Sequence, residues 1–160
     1  MNQLRPESDL DVVLLTNPAA NRGRARATGY QVQSYLEQSG HRVQHELPAD
    51  VSMTYSMVAQ AVKDQKRVIA VGGDGFIHHV VQSCAETGGT LGIVPAGTGN
   101  DFAGVTMWGN HPPPKVDQEL LPALLQLYRD ASVLEYDIWE VAIEARDLMF
   151  CHGREKVSVK

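Results

Sequence analysis

The feature that most restricts how this chain can fold is the passage from Lys66 to Val81. An apolar run, Val68-Ile69-Ala70-Val71, gives way there to Gly72-Gly73-Asp74-Gly75 and then to Phe76-Ile77-His78-His79-Val80-Val81. A short apolar run closed by glycine is the form of a parallel strand buried on both faces, and the spacing of Ile77, Val80, Val81 and Cys84 puts them on one side of a helix. The passage reads as strand, glycine turn, helix. Glycines at the turn remove the Cβ atoms that would hold another group away from the backbone. The N-terminus of the following helix presents free N–H groups at the positive end of its dipole. Such a turn suits phosphate. Asp74 stands among those donors with the wrong charge for gripping phosphate directly, which points it toward a bound cation or a hydroxyl that must lose its proton.

With 160 residues and 43% hydrophobic content, the chain has the size of one α/β domain with an ordinary core. Its net charge of −5 gives no general attraction to nucleic acid or to an anionic membrane, so any phosphate site is local. Cys84 and Cys151 are too few and too far apart for a disulfide framework or a zinc site, which fits a reducing cytoplasm. No uncharged apolar run approaches the roughly 20 residues of a membrane span, and Met1 to Leu10 lacks the apolar centre of a signal peptide. The expectation is a soluble, cytoplasmic protein.

Along the chain, a polar leader precedes the strand Asp11 to Thr16, which ends at Asn17-Pro18. Small and turn-forming residues follow, Asn17-Pro18-Ala19-Ala20-Asn21-Arg22-Gly23-Arg24. Their backbone amides, with Arg22 and Arg24, could surround an anion; a plain surface connection fits them as well. Val32, Tyr35 and Leu36 give a helical face that Gly29 weakens and Gly40 ends. His41 to Leu47 suits a second strand, and after Pro48-Ala49-Asp50 a helix is expected with Met53, Met57, Val58, Ala61 and Val62 inward. A fourth strand, Thr90 to Val94, runs into Pro95-Ala96-Gly97-Thr98-Gly99-Asn100-Asp101-Phe102-Ala103. Strands alternating with helices through short connections predict a parallel sheet, and ligands of such sheets bind beyond the carboxyl ends of the strands. Three small-residue loops are therefore expected on one edge. Further on come a proline-stiffened spacer from Trp108 to Lys115, a helix from Asp117 to Arg129, and β-type segments between Val133 and Cys151.

With Asn17-Pro18-Ala19-Ala20-Asn21-Arg22-Gly23, Gly72-Gly73-Asp74-Gly75 and Pro95 to Ala103 in this order, the chain resembles the catalytic domain of the diacylglycerol kinase family of lipid kinases. The resemblance covers about residues 11 to 141. It implies a Rossmann-like, three-layer α/β domain with a parallel sheet, as in NAD kinases and diacylglycerol kinases, occupying residues 1–141. Residues 142–160 would then be only the start of a β-sandwich domain. It further implies ATP and Mg2+ in the cleft between the two domains.

Carried over by position, the resemblance implies that Asn17, Pro18, Ala19, Ala20 and Asn21 form a first nucleotide-binding turn. Gly72, Gly73, Asp74, Gly75, Phe76, Ile77, His78 and His79 would form a second, and Gly97, Thr98 and Asn100 a third, with Thr98 touching phosphate or adenosine. Asp74 and Asp101 match acidic positions tied to the metal and its waters, Asp74 being the catalytic one; Asp137 matches another near the domain junction. The partners implied are ATP and a diacylglycerol-like lipid bound through the second domain, without nucleic acid. Peripheral membrane contact and a homodimer are both compatible with it.

Some positions depart from the family pattern. Threonine, an apolar residue, asparagine and glutamate usually follow the Gly-Asp-Gly, where this chain has Phe76, Ile77, His78 and His79, so a hydroxyl and a carboxylate are replaced. Gly104 replaces a frequent arginine, and Asn21 replaces a glycine while keeping access to left-handed backbone. Adjacent helical positions diverge by about 100°, so His78 and His79 do not readily share one metal ion. Three functions follow for comparison: a lipid kinase, a nucleotide-binding homologue weakened in transfer, and an NAD kinase-like enzyme, against which the motif from Pro95 to Ala103 counts.

Overall fold

The computed structural model of the protein describes residues 11–107 together with Leu121 and Pro122. The elements are β1 (Asp11–Thr16), a 3-10 turn (Ala20–Gly23), α1 (Arg24–Gln38), β2 (Arg42–Glu46), α2 (Val51–Lys63), β3 (Arg67–Gly72), α3 (Asp74–Thr87), β4 (Leu91–Pro95) and α4 (Asp101–Met107). Among the described residues the strand pairings are all parallel, in the order β2-β1-β3-β4.

Alternation along the strands builds the layers. Val12 and Leu14 of β1, Ile69 and Val71 of β3, and Val94 of β4 turn to one face and pack with Ala25, Val32 and Leu36 of α1. Val13 and Leu15, Val68 and Ala70, and Ile93 turn to the other face and meet Val58 and Ala61 of α2 and Ile77, Val80 and Cys84 of α3. Because both faces are covered, β1 and β3 carry almost unbroken apolar runs. The result is the three-layer α/β fold expected from the sequence. Fully burying a side chain such as Leu14 or Leu15 contributes about 1.5–3 kcal/mol. β2, at the edge, is more exposed, and its outward Arg42 pairs with Asp11 at 2.6 Å.

Boundaries follow local chemistry. Asp50 caps α2 by accepting the Met53 N–H at 2.8 Å. Thr54 is buried in this helix while Met53 is 40% exposed, so the inward face lies one residue from where Met53 would put it. The hydroxyl of Thr54 donates to the Asp50 carbonyl at 2.9 Å, which removes the penalty of burying it. Gly29, read as a weak point of α1, brings that helix close to the sheet. A Cβ there would stand 2.4 Å from Thr16 Oγ1. Leu121 and Pro122 are helical, and Leu121 joins the α1-side core. The remainder of the helix expected from Asp117 to Arg129, the leader, the spacer, the later strands and the domain boundary near residue 141 lie outside the described residues.

Strand order fixes where a ligand would sit. From β1 the chain crosses to β2 on one side, and from β3 to β4 on the other, so the loops leaving β1 and β3 part at adjacent strands. In open α/β sheets ligands bind at such a point, beyond the rim made by the carboxyl ends of the strands.

Candidate functional site

Three loops meet at this rim. The Asn17 N–H donates to the Val71 carbonyl at 3.0 Å, tying the exit of β1 to the end of β3, and the Ala96 N–H donates to the Gly72 carbonyl at 2.8 Å, tying the exit of β4 to it as well. Gly73 and Gly97 come into backbone contact. A Cβ on Gly97 would lie 2.4 Å from the Gly73 Cα, and one on Gly73 would lie 3.0 Å from the Gly97 Cα.

The first loop is an Asx turn followed by left-handed backbone. Asn17 Oδ1 accepts the Ala19 N–H at 3.0 Å. Asn21 and Arg22 have φ of 51° and 56°, and Gly23 has φ of 86°. Asparagine at position 21 thus occupies the left-handed region that a glycine would enter freely. Arg22 occupies it without that excuse, a conformation that stores strain beside the rim. Pro18 and Ala20 are half-buried, while Ala19 and Asn21 face solvent. No side chain caps the N-terminus of α1, whose first turn carries Arg24 and Arg26 and no acidic residue. Cations at that end oppose the helix dipole and favour an anion nearby.

The second loop is the turn from β3 into α3. Gly73 is the N-cap residue and offers no side chain, so the first N–H groups of α3 point into the rim without a cap. Gly75 lies in that first turn, and a Cβ there would meet nothing within 4 Å. Phe76 takes another course. Its ring covers Gly72, where a Cβ would stand 2.6 Å from Phe76 Cδ1, and packs against the α2/α3-side core. Ile77 is buried in the same core. His78 is exposed and His79 half-buried, their rings edge-on with centroids 5.8 Å apart.

The third loop is closed by Asn100, whose Oδ1 accepts the Gly97 N–H at 2.7 Å and whose amide donates to the Gly97 carbonyl at 3.2 Å. Asn100 is itself left-handed, with φ of 59°. Thr98 is exposed on the loop. Asp74 reaches across to this loop, its two carboxylate oxygens accepting the N–H groups of Asn100 at 2.8 Å and of Phe102 at 3.1 Å. Asp101 approaches the same spot. The place where a Gly99 Cβ would stand is 3.1 Å from Asp74 Oδ2 and 3.6 Å from Asp101 Oδ1. Among the described residues no three His, Cys, Asp or Glu side chains cluster as metal ligands. A cavity of about 230 Å³ lined by Gln44, Glu46, Gln60, Asp64 and Lys66 lies between β2 and α2, away from the rim.

Two features escaped the sequence reading. One is α4, whose signal was Asp101 in the first turn after a glycine loop. The other is a polar network under the first loop. Thr16 Oγ1 and His45 Nε2 are 2.9 Å apart, and His45 Nδ1 and Gln33 Oε1 are 2.9 Å apart. The polar character of His45, placed on the α1 side of an edge strand, is the only hint of it in the sequence.

Fold and rim together define an α/β protein whose glycine-rich loops meet at the carboxyl rim of a parallel sheet. A family model for the diacylglycerol kinase catalytic domain matches residues 11–136. The chain belongs to that family. It is 36% identical over 102 residues to a diacylglycerol kinase of Mycobacterium tuberculosis, covering 63% of this chain and 33% of that protein. To a diacylglycerol kinase of Bacillus subtilis it is 33% identical over 93 residues, covering 56% of this chain and 31% of that protein. A similar match, 32% identical over 81 residues, reaches diacylglycerol kinase 1 of Drosophila melanogaster. The aligned stretch is about a third of the length of the bacterial relatives. Among the described residues, no helix is long and apolar enough to cross a membrane.

Proposed function

We propose that this chain is the nucleotide-holding part of a cytoplasmic lipid kinase that moves the γ-phosphoryl group of ATP to a hydroxyl of a diacylglycerol-like lipid. The observation that carries the reading is Gly75. Glycine weakens a helix, and nothing packs where its side chain would be, so folding does not call for it. A phosphate resting on the uncapped N–H groups of α3 does call for it. The Asn17 turn is tied to the end of β3, and the arginines at the start of α1 follow it in the chain; both would face the remaining phosphates. The family match and the relatives named diacylglycerol kinase support the choice of reaction.

Phosphoryl transfer depends mainly on positioning and charge neutralisation. A bond forms between the lipid oxygen and the γ-phosphorus, the bond to the bridging oxygen of ADP breaks, and the hydroxyl proton passes to a base. That base and the lipid surface are assigned to the second domain, which the resemblance puts after the junction. Asp74, with Asp101 beside it, would hold a Mg2+ ion, which keeps several waters and takes one or two protein carboxylates. Asp74 spends one acceptor site of each oxygen on a backbone N–H and keeps the others, and Asp101 lies beside it. When bound, the ion supplies charge neutralisation for the phosphates.

Transfer of labelled γ-phosphate by the full-length protein to diacylglycerol in mixed micelles, with NAD as the competing acceptor, tests the assignment. Labelled lipid supports it, and labelled NAD alone rejects it. A second reading, a nucleotide-binding homologue weakened in transfer, draws on Phe76, whose ring is turned to Gly72 and the core where the family usually has a hydroxyl. Replacing Phe76 by Thr and His79 by Glu together distinguishes the two. A large rise in turnover favours the weakened homologue, and little change favours a working variant.

A further inference from the structure

The polar network beneath the first loop has a direction. Gln33 Nε2 donates to the Glu37 carboxylate at 2.8 Å, which turns Gln33 Oε1 toward His45. That oxygen can only accept, so His45 Nδ1 carries the proton and Nε2 is left as an acceptor. The Thr16 hydroxyl therefore donates to Nε2. The chain runs Thr16, His45, Gln33, Glu37, each donating to the next.

Thr16 is wholly buried, so its hydroxyl depends on this partner. Space is tight around the pair. A Cβ on Gly29 would meet Thr16 Oγ1 at 2.4 Å and His45 Nε2 at 3.1 Å, and the Tyr30 ring stands edge-on to the imidazole at 5.1 Å. Thr16 is also the last residue of β1, bonded through the chain to Asn17, which carries the Asx turn and the link to Val71.

We propose that His45 is a positioning residue for the first loop of the nucleotide site: as a neutral Nδ1–H imidazole it fixes Thr16 and with it the Asn17 turn, and its protonation releases that turn. A protonated ring has a donor at Nε2, which faces the Thr16 hydroxyl donor to donor unless the hydroxyl rotates. After that rotation the oxygen can accept from Nε2, but the hydroxyl's own hydrogen has lost its acceptor in a wholly buried place, a penalty that movement at the end of β1 would relieve. Burial holds His45 below the ordinary histidine range, against the opposing pull of Glu46 on its own strand and Glu37 on α1. Among the described residues, Gly29, Tyr30 and Gln33 of α1 and Thr16 of β1 also stand against the ring.

The proposal rests on the nucleotide reading for its functional consequence but not for its structural one, and the test separates the two. In 15N-labelled full-length protein, the amides of Asn17, Ala19 and Ala20 should shift together with the His45 ring signals as the pH is lowered from neutral through and below the ordinary histidine range. They should not do so in His45→Gln, which keeps a neutral donor and acceptor. The KM for ATP should rise on acidification in the wild type beyond the change shared with His45→Gln, which reflects ATP's own ionisation. His45→Leu should raise that KM by up to about tenfold at neutral pH with a smaller effect on kcat, and His45→Gln should recover most of the loss. Loop amides that ignore the His45 titration, or that respond equally in His45→Gln, overturn the proposal. Amides that follow it in a protein that binds no ATP uphold the positioning role and reject the nucleotide reading instead.

Discussion

Asp74 Oδ2 accepts the backbone N–H of Asn100 at 2.8 Å, joining the glycine turn after β3 to the loop after β4. With the Phe102 N–H on its other oxygen, the same carboxylate sits in the first turn of α3 and at the N-terminus of α4. Two positive helix ends therefore converge on one carboxylate. Asp74→Ala should destabilise the fold by about 1–2 kcal/mol, the usual loss for a helix cap. Asp74→Asn should lose less, since its carbonyl keeps one of the two bonds. Denaturant titration of both variants checks this, and unchanged stability in Asp74→Ala would remove the clamp.

The contact of Gly73 with Gly97 gives a steric prediction. A methyl group on Gly97 would have to displace backbone, so Gly97→Ala should lose about 2 kcal/mol or more. Thermal unfolding measures it. A melting curve equal to that of the wild type would show that the second and third loops are not in contact in solution.

Gly72 and Phe76 fit each other by size, so their substitutions should be coupled. Phe76→Ala alone should lose about 1–3 kcal/mol, less than a fully buried ring, and Gly72→Ala alone should be destabilising through overpacking. The double variant should be more stable than the two losses added together, by about 0.5 kcal/mol or more. Strict additivity in a double-mutant cycle would contradict the packing.

Cys84 is buried between α3 and the sheet, and burial pushes its thiol up to about 11 from 9.0. The unfolded chain ionises first, so the folded state loses stability as the pH rises from 9.0 toward about 11. Below that window this group contributes no slope. Alkylation of Cys84, followed by peptide mapping, should remain slow at pH 8 to 9 and accelerate only on unfolding. Rapid labelling of the native protein at neutral pH would contradict its burial.

Much of this was legible in the sequence because the strands are buried on both faces. Val68 to Val71 and Val12 to Leu15 announce themselves by continuous apolar runs, and glycines mark where they end. The convergence of three loops followed from parallel topology, since all strands end at one edge. What stayed hidden depends on contacts between distant residues. Gly29 looked like a flaw in α1 because its role is to make room for Thr16 and His45, from two other elements. Asp74 read as a lone acid in a cradle because its partners, Asn100 and Phe102, offer backbone N–H groups that carry no sequence signature. Phe76, named among the nucleotide-contacting positions by motif alignment, has a ring whose packing against Gly72 only coordinates reveal.

Calorimetry of Mg-ATP binding to the full-length protein and to Gly75→Ala tests the central claim most directly. Alanine is the better helix former, and its methyl group meets nothing, so the variant should melt at the same temperature or higher. The account predicts that it nonetheless binds Mg-ATP about tenfold more weakly or worse, because the methyl group occupies the place of a phosphate on the α3 N–H groups. Equal affinity in the two proteins would contradict a phosphate at this turn.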